Sequence, residues 1–238
     1  MRLKIECELK EKEIITSYNR KILSFFKHSL EDYSKEMMEY YYAEGKEKDM
    51  SFACYFPIEM IREDKIYLRE NNFRIFITFN SITDGLHFYN SFISSKHKKT
   101  RFKLEENEFW IKNIIKLSEK KIEGDVAVFQ TLSPLVIREK LENKKDWFHI
   151  LDEKGIEVLK KDIKYSLREK FSKEILENID IIPIKTKKVI VNFYDIKFPT
   201  TKGLFAIKGN EKILNFFYKS GLGSKKSSGF GMLEIISK

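Results

Sequence analysis

The stretch RLKIECEL at Arg2–Leu9 alternates apolar and polar residues, and this alternation is typical of a β-strand with one buried face. Asn19 follows as a candidate helix cap, because the next apolar residues recur at helical spacing. These residues are Ile22, Phe25, Phe26, Leu30, Tyr33 and Met37. The chain is therefore predicted to begin with a strand and then a helix.

The rest of the first half extends this pattern with further strands and a second helix. Strands are predicted for the β-rich runs Ser51–Phe56 and Phe73–Phe79, which polar residues separate. Thr83, Asp84 and Gly85 form a plausible helix start, and β-like alternation returns over residues 101–116. The predicted order of the first half is β-α-β-β-α-β.

The second half repeats that order. The predicted elements are a strand at Asp125–Phe129, a long charged helix over about 152–177, a β-rich stretch over 181–198, a short strand at Leu204–Ile207, a helix at Glu211–Tyr218 and a last strand at Gly229–Ile236. Each half has the order of a ferredoxin-like domain, in which two helices cover one face of an antiparallel sheet. The sequence therefore predicts an α+β protein of two tandem ferredoxin-like (RRM-like) domains, residues 1–122 and 123–238.

Composition excludes several classes of protein. Hydrophobic residues make up 42% of the 238 residues, including 20 Phe and 11 Tyr, so the chain can bury a core and disorder is disfavoured. A mean hydropathy of −0.42 and the lack of a long apolar run argue against a membrane partner. Cys7 and Cys54 have no partner at ligand spacing, so neither a disulfide framework nor a zinc site is expected. No cofactor and no metal are predicted. The start of the chain has no signal-peptide pattern, so we expect a cytoplasmic protein.

Charge points to a polyanionic partner. Lys and Arg total 45 against 36 Asp and Glu, which gives a formal net charge of +9. Such an excess favours association with nucleic acid, although a lysine-rich composition alone would produce the same value.

The segment GLGSKKSSGFGM at 221–232 concentrates four of the ten glycines of the chain. Its spacing matches neither the dinucleotide fingerprint nor the phosphate loop of NTPases. Glycines, successive N–H groups, serines and lysines can together bind phosphate oxygens, which predicts a cradle for an RNA backbone. The predicted RNA-binding residues are Gly221, Gly223, Ser224, Lys225, Lys226, Gly229 and Gly231. The alternative is a helix C-cap at Gly221 and a loop leading into the last strand.

The pattern of this segment, G-hydrophobic-G, five residues with lysine, then G-hydrophobic-G, resembles the signature of the CRISPR repeat-RNA processing endoribonucleases of the repeat-associated protein superfamily. The run VFQTLSPL at Val128–Leu135 resembles the T-hydrophobic-S-P strand of that family, and the Ser17–Asn19 entry to the first helix is also similar. The doubled domain order extends the resemblance over nearly the whole chain. The resemblance implies metal-independent cleavage of CRISPR precursor RNA within its repeats, by 2′-hydroxyl attack, with 2′,3′-cyclic phosphate and 5′-hydroxyl products.

The resemblance also implies where catalysis occurs: in the first helix, in the loop after it and at the start of the second strand, commonly with a Tyr or Lys, a His and a Lys. Lys27 and Lys48 match this pattern, but Tyr42 lies on or near the position of the family histidine. Three alternatives follow. Tyr42 occupies the site, His28 replaces the missing imidazole, or lysines supply the cations and catalysis is slow.

Periodicity bears on these candidates. His28 lies two residues after Phe26, about 200° around a helix, so it is expected on the face opposite the apolar stripe. His87 and His149 lie among apolar residues, which favours packing or supporting roles. Tyr40, Tyr41 and Tyr42 are consecutive and cannot all face one core, so at least one should reach solvent or substrate.

Two other functions compete with the endoribonuclease. One is a catalytically weak or inactive relative that binds repeat RNA, and the missing histidine is its best support. The other is a structural subunit of a CRISPR effector complex, which would have other effector subunits as partners. A homodimer is a further alternative that the sequence leaves open.

Overall fold

The computed structural model describes residues 1–44, 48–140, 146–194 and 196–237. The chain forms two compact units. The first comprises Met1–Ser118 with Asn192–Ile196, and the second comprises Glu119–Val191 with Lys197–Lys238. Within the described residues, no helix is both long and apolar enough to cross a membrane.

The first unit contains three helices and eight strands among its described residues. In chain order they are β1 (Arg2–Leu9), β2 (Glu13–Ile15), α1 (Asn19–Tyr33), α2 (Lys35–Tyr42), β3 (Met50–Tyr55), β4 (Ile58–Arg62), β5 (Lys65–Leu68), β6 (Asn72–Phe79), α3 (Ile82–His97), β7 (Phe102–Leu104) and β8 (Asn107–Leu117). The main sheet has the order β3-β6-β1-β8-β7 with antiparallel neighbours. Its four longer strands have the order of a ferredoxin-like domain, which confirms the predicted fold class.

The second unit repeats this arrangement. Its elements are β9 (Val126–Thr131), β10 (Ile137–Lys140), β11 (Asp146–His149), α4 (Glu153–Leu167), α5 (Lys173–Glu177), β12 (Asp180–Phe193), β13 (Ile196–Lys208), α6 (Glu211–Ser220), a 3₁₀ turn (Lys226–Ser228) and β14 (Leu233–Ser237). The sheet order is β12-β13-β9-β14, and β9 is antiparallel to both β13 and β14. A separate hairpin pairs β10 with β11.

Each unit has its own hydrophobic core. In the first unit, the alternation along β1 directs every second side chain into that core. Leu3, Ile5, Cys7 and Leu9 are buried, while the polar residues between them lie on the other face of the sheet. Under the helices, the Phe25 ring lies 4.6–5.3 Å from the rings of Phe26, Phe92, Phe102 and Phe109. Aromatic pairs at such distances stabilise a core beyond their buried area, and they account for many of the phenylalanines.

Two predicted helices are interrupted, and this corrects their sequence-based bounds. The first helix ends at Tyr33, because Ser34 is extended and its hydroxyl accepts the Met37 N–H at 3.3 Å as the cap of α2. The predicted helix over 152–177 is also two helices, α4 and α5, with Ser172 extended between them. At Ser34 the hydroxyl competes for a backbone partner and favours the break, whereas the Ser172 side chain makes no cap hydrogen bond.

The structure also contains a small sheet that the sequence did not predict. Between the strands predicted at Ser51–Phe56 and Phe73–Phe79, only the polar residues Arg62–Asp64 and Asn71–Asn72 were expected as separators, but residues 58–68 form the hairpin β4–β5, and β2 pairs with β5. Glu63, with φ of 51°, occupies the tight turn. All of β4 is exposed, so it carries no buried face whose alternation would have indicated a strand.

Candidate functional site

Three of the four candidate catalytic residues meet beside one ring. Lys48 Nζ lies 4.1 Å from the centroid of the Tyr42 ring, and Lys27 Nζ lies 5.8 Å from it. Lys27 comes from α1, Tyr42 ends α2, and Lys48 precedes β3. We call these three residues the Tyr42 cluster. The face of an aromatic ring attracts cations, so both ammonium groups are held where a phosphate could replace part of their hydration.

Burial shifts the pKa values of two groups in this cluster. Lys48 is partly buried, and desolvation lowers the pKa of its ammonium below the ordinary value for lysine. Desolvation raises the pKa of the Tyr42 phenol above its ordinary value, so this hydroxyl stays protonated at neutral pH. The cluster therefore combines a cation with a hydrogen-bond donor, but neither group is an efficient base near pH 7.

His28 is oriented away from the Tyr42 cluster. Its side chain is 51% exposed, Nε2 lies 3.8 Å from Asp32 Oδ2, and its ring meets that of Phe102 edge-on at 5.9 Å. Phe102 belongs to β7, which lies at the opposite edge of the main sheet from β3. The structure thus brings Lys27, Tyr42 and Lys48 together and places His28 at the other side of α1.

A hydrogen-bond network that the sequence did not indicate holds α2 in place. Tyr41 is buried, and its hydroxyl donates to Asp84 Oδ1 at 2.7 Å and lies 3.0 Å from His87 Nδ1. Both partners belong to α3. The run of three tyrosines was the available signal: Tyr40 is 50% exposed, Tyr41 is 2% exposed and Tyr42 is intermediate. Tyr41 therefore fixes the helix turn that presents Tyr42.

The glycine-rich loop of the second unit lies across the segment Thr131–Val136. Gly231 N–H donates to Pro134 O at 2.8 Å, and Ser224 N–H donates to Val136 O at 2.8 Å. The Met232 N–H donates to the buried Ser133 hydroxyl at 3.0 Å. Inside the loop, Leu222 N–H donates to Gly231 O at 2.9 Å. These two segments, which the resemblance singled out separately, form one structural unit.

Close backbone approach explains the glycines of the loop. Gly221 caps α6 at a φ of 81°, with its N–H on Phe217 O at 2.8 Å. A Cβ at Gly223 would lie 2.5 Å from Val136 O, and one at Gly231 would lie 1.9 Å from Leu222 O. The N–H groups of Gly221, Ser224, Gly229 and Gly231 all donate within the protein, so these donors shape the loop.

The loop presents its cations through side chains. Lys225 adopts a φ of 58°, and burial together with Arg138 lowers the pKa of its ammonium, while Asp146 opposes that shift. Lys226 Nζ lies 5.6 Å from the centroid of the Phe216 ring. A rigid loop with clustered lysines and a neighbouring arginine is suited to contact phosphate groups.

The geometry of Gly231 gives a stability prediction. Gly231→Ala should lower the free energy of unfolding by about 2–4 kcal/mol, because φ is +65° and the new Cβ would collide with the Leu222 carbonyl. Chemical denaturation of both proteins measures the difference. Gly124→Ala is the matched control, since nothing lies within 4 Å of its Cβ, and it should change stability by less than about 1 kcal/mol. Equal stabilities of the two variants would contradict the role assigned to Gly231.

Comparison with known proteins gives consistent matches. Residues 116–235 match the family model described as CRISPR associated protein Cas6, C-terminal. An endoribonuclease-like Cas6 protein of Pyrococcus furiosus is 27% identical over 188 residues, which cover 76% of this chain and 75% of that protein.

Two solved structures share the fold over the full chain. The product of a Cas6-related gene from Pyrococcus furiosus has a TM-score of 0.83 and 23% identity, covering 100% of this chain and 99% of that one. A RAMP protein described as binding different RNA substrates has a TM-score of 0.84 and 20% identity, with full coverage of both chains. At these identities the structural likeness concerns the fold.

Proposed function

Because the chain belongs to the Cas6 family of CRISPR-associated proteins, we propose that it binds the repeat segments of CRISPR precursor RNA and cleaves them without a metal ion. The observation that carries this proposal is the convergence of Lys27 and Lys48 on the Tyr42 ring. These residues lie in the region where the family resemblance predicted catalysis. The relatives whose names refer to an endoribonuclease-like activity and to RNA binding support the same function.

The proposed reaction is an internal transesterification. The ribose 2′-oxygen loses its proton and forms a bond to the adjacent phosphorus, and the bond from phosphorus to the 5′-oxygen breaks. The Tyr42 phenol, which is protonated at neutral pH, donates its proton to the departing 5′-oxygen, and solvent receives the 2′-proton and then reprotonates the phenol. Lys48 stabilises the negative charge of the phosphorane. The products are a 2′,3′-cyclic phosphate and a 5′-hydroxyl.

The test uses a labelled cognate repeat RNA, incubated with the protein in excess EDTA. We expect one cut, which a 2′-deoxy nucleotide at that position abolishes because the nucleophile is missing. Cleavage that EDTA stops, or that the deoxy substitution does not affect, would contradict the proposed chemistry.

A second candidate function is repeat-RNA binding without cleavage. It is favoured by the absence of an efficient base from the Tyr42 cluster, where the resemblance expected a histidine. Tight binding with no product in the same assay would support it. Other CRISPR effector subunits and a second copy of the chain are further proposed partners, and the mass of the RNA complex in solution would reveal the second copy.

A further inference from the structure

One face of the main sheet in the first unit is not covered by its helices. Phe52, Ile75 and Phe109 alternate toward the helices and are buried. The opposite face is buried at Arg2, Ser51, Ala53 and Thr78. Toward the other end of the sheet it carries the more accessible side chains Tyr55, Arg74 and Trp110, on β3, β6 and β8. Tyr55 lies directly opposite Arg74 across the strand pair. This face combines aromatic rings with cations.

Two pairs of an aromatic ring and a guanidinium group define the surface. The Arg101 guanidinium lies 3.7 Å from the Trp110 centroid, and that of Arg74 lies 5.7 Å from the Tyr55 centroid. Tyr55 is 54% exposed, and both arginines are exposed. We call these four residues the open-face patch. A guanidinium at 3.7 Å is in stacking contact with the indole and offers its outer face to another planar group.

The Trp110 ring is half-buried, and it lies opposite Glu8 across β8 and β1. Lys112 is the main cause of the lowered pKa of the Glu8 carboxylate, and Asn71 and the Trp110 indole lower it further. A half-buried ring that Arg101 covers loses little freedom when a further group stacks on the pair.

The charge balance of the face leaves the arginines as excess positive charge. Three carboxylates lie on these strands: Glu6, which contacts Lys4 at 2.8 Å and lies opposite Arg74, Glu8, which contacts Lys112 at 2.7 Å, and Glu108, which lies opposite Lys103. The three lysines alone equal these carboxylates in number. The two guanidinium groups therefore add to a neutralised surface. Planar stacking groups combined with positive charge fit a nucleotide chain, whereas a protein-binding surface would be expected to be more apolar at its centre.

We propose that the open-face patch binds a single-stranded segment of the RNA, with one base stacked on Tyr55 and another on the Arg101–Trp110 pair. This rests on the proposed repeat-RNA binding and adds a second contact surface to it. Strands β3 and β8 are separated by β6 and β1, so the two stacking positions are about 14 Å apart across the sheet. Bases of any identity have a π-face, so the contact would tolerate sequence variation.

Fluorescence tests the proposal directly, because the chain has two tryptophans. Trp147→Phe removes an exposed indole and leaves Trp110 as the reporter. Titration of this variant with a single-stranded oligoribonucleotide from the repeat, and with oligouridylate, should quench the Trp110 emission to saturation. Trp110→Leu and Tyr55→Leu should each weaken binding about tenfold at an unchanged salt slope, since stacking releases no counterions. Lys225→Ala with Lys226→Ala should instead reduce that slope.

Tyr165→Leu is the matched control, because Tyr165 is 71% exposed and the Arg168 guanidinium lies 4.2 Å from its centroid on α4. This variant should bind the oligonucleotide like the wild type. Repeat-RNA binding that persists without Trp110 quenching, and with no loss for Tyr55→Leu, would overturn the patch and leave the proposed function intact. A wild-type protein that binds no repeat RNA would overturn both. If the Trp110→Leu variant does not fold, binding by Tyr55→Leu and the fluorescence titration of Trp147→Phe still test the proposal.

Discussion

Lys48→Ala should lower the single-turnover rate of repeat-RNA cleavage about 10²- to 10³-fold, with RNA affinity almost unchanged. The Lys48 ammonium lies against the Tyr42 ring, where the phosphorane would carry a second negative charge that the bound phosphodiester lacks. An interaction that strengthens in the transition state affects the rate of the chemical step more than the binding. Rates measured at saturating protein, alongside equilibrium binding to a 2′-deoxy substrate, separate the two quantities.

Lys35→Ala is the control for this experiment. Lys35 is a neighbouring lysine on α2 whose side chain is 78% exposed, and its removal should leave the rate unchanged. Equal rates for Lys48→Ala and the wild type would place catalysis elsewhere.

The pH profile provides a second signature of Lys48. Burial lowers the pKa of Lys48, so its ammonium deprotonates at a lower pH than an ordinary lysine, and the rate should fall on the alkaline side. Lys48→Arg should move that fall to higher pH, because a guanidinium stays protonated. An alkaline limb that does not move would mean that another group controls it.

Alternation and helical spacing were sufficient to predict the order of the ferredoxin-like domains. Strand β1 buries every second residue as its sequence indicates, and this is a local property. The break at Ser34 could not be predicted in the same way, since serine is tolerated within helices as well as at their caps. In β4 the apolar residues Ile58, Met60 and Ile61 are exposed, so hydrophobicity does not follow burial there.

The candidate site shows a similar division. Helical periodicity correctly predicted that the His28 side chain is exposed on α1. Only the tertiary structure shows that it lies near Phe102 of β7, at the edge of the sheet opposite β3. The spacing of the glycines located the loop, whereas the engagement of their N–H groups with Pro134 and Val136 depends on contacts distant in sequence. The sequence motifs identified the glycine-rich loop and the Thr131–Val136 segment. The tertiary structure determines which of their N–H groups already donate within the protein.

Tyr42→His should raise the cleavage rate at pH 7 about 100-fold. The Tyr42 phenol has a raised pKa and can donate a proton but hardly accept one, so removal of the 2′-proton is left to solvent. An imidazole titrates near neutrality and can act as base or acid, and a positioned group of this kind typically contributes 10²–10⁴-fold. Single-turnover rates from pH 5 to 9 should show a new acidic limb near pH 6–7, where the imidazole protonates.

Tyr40→His is the matched control for Tyr42→His. Tyr40 is 50% exposed on the same helix, so an imidazole there should leave the rate unchanged. The rate gain of Tyr42→His should also disappear in combination with Lys48→Ala, because residues that act on one transition state are not additive. A Tyr42→His variant that cleaves no faster than the wild type, while binding RNA equally well, would mean that position 42 does not reach the scissile phosphate. The protein would then act on repeat RNA through binding alone, or through a catalytic site away from the Tyr42 cluster.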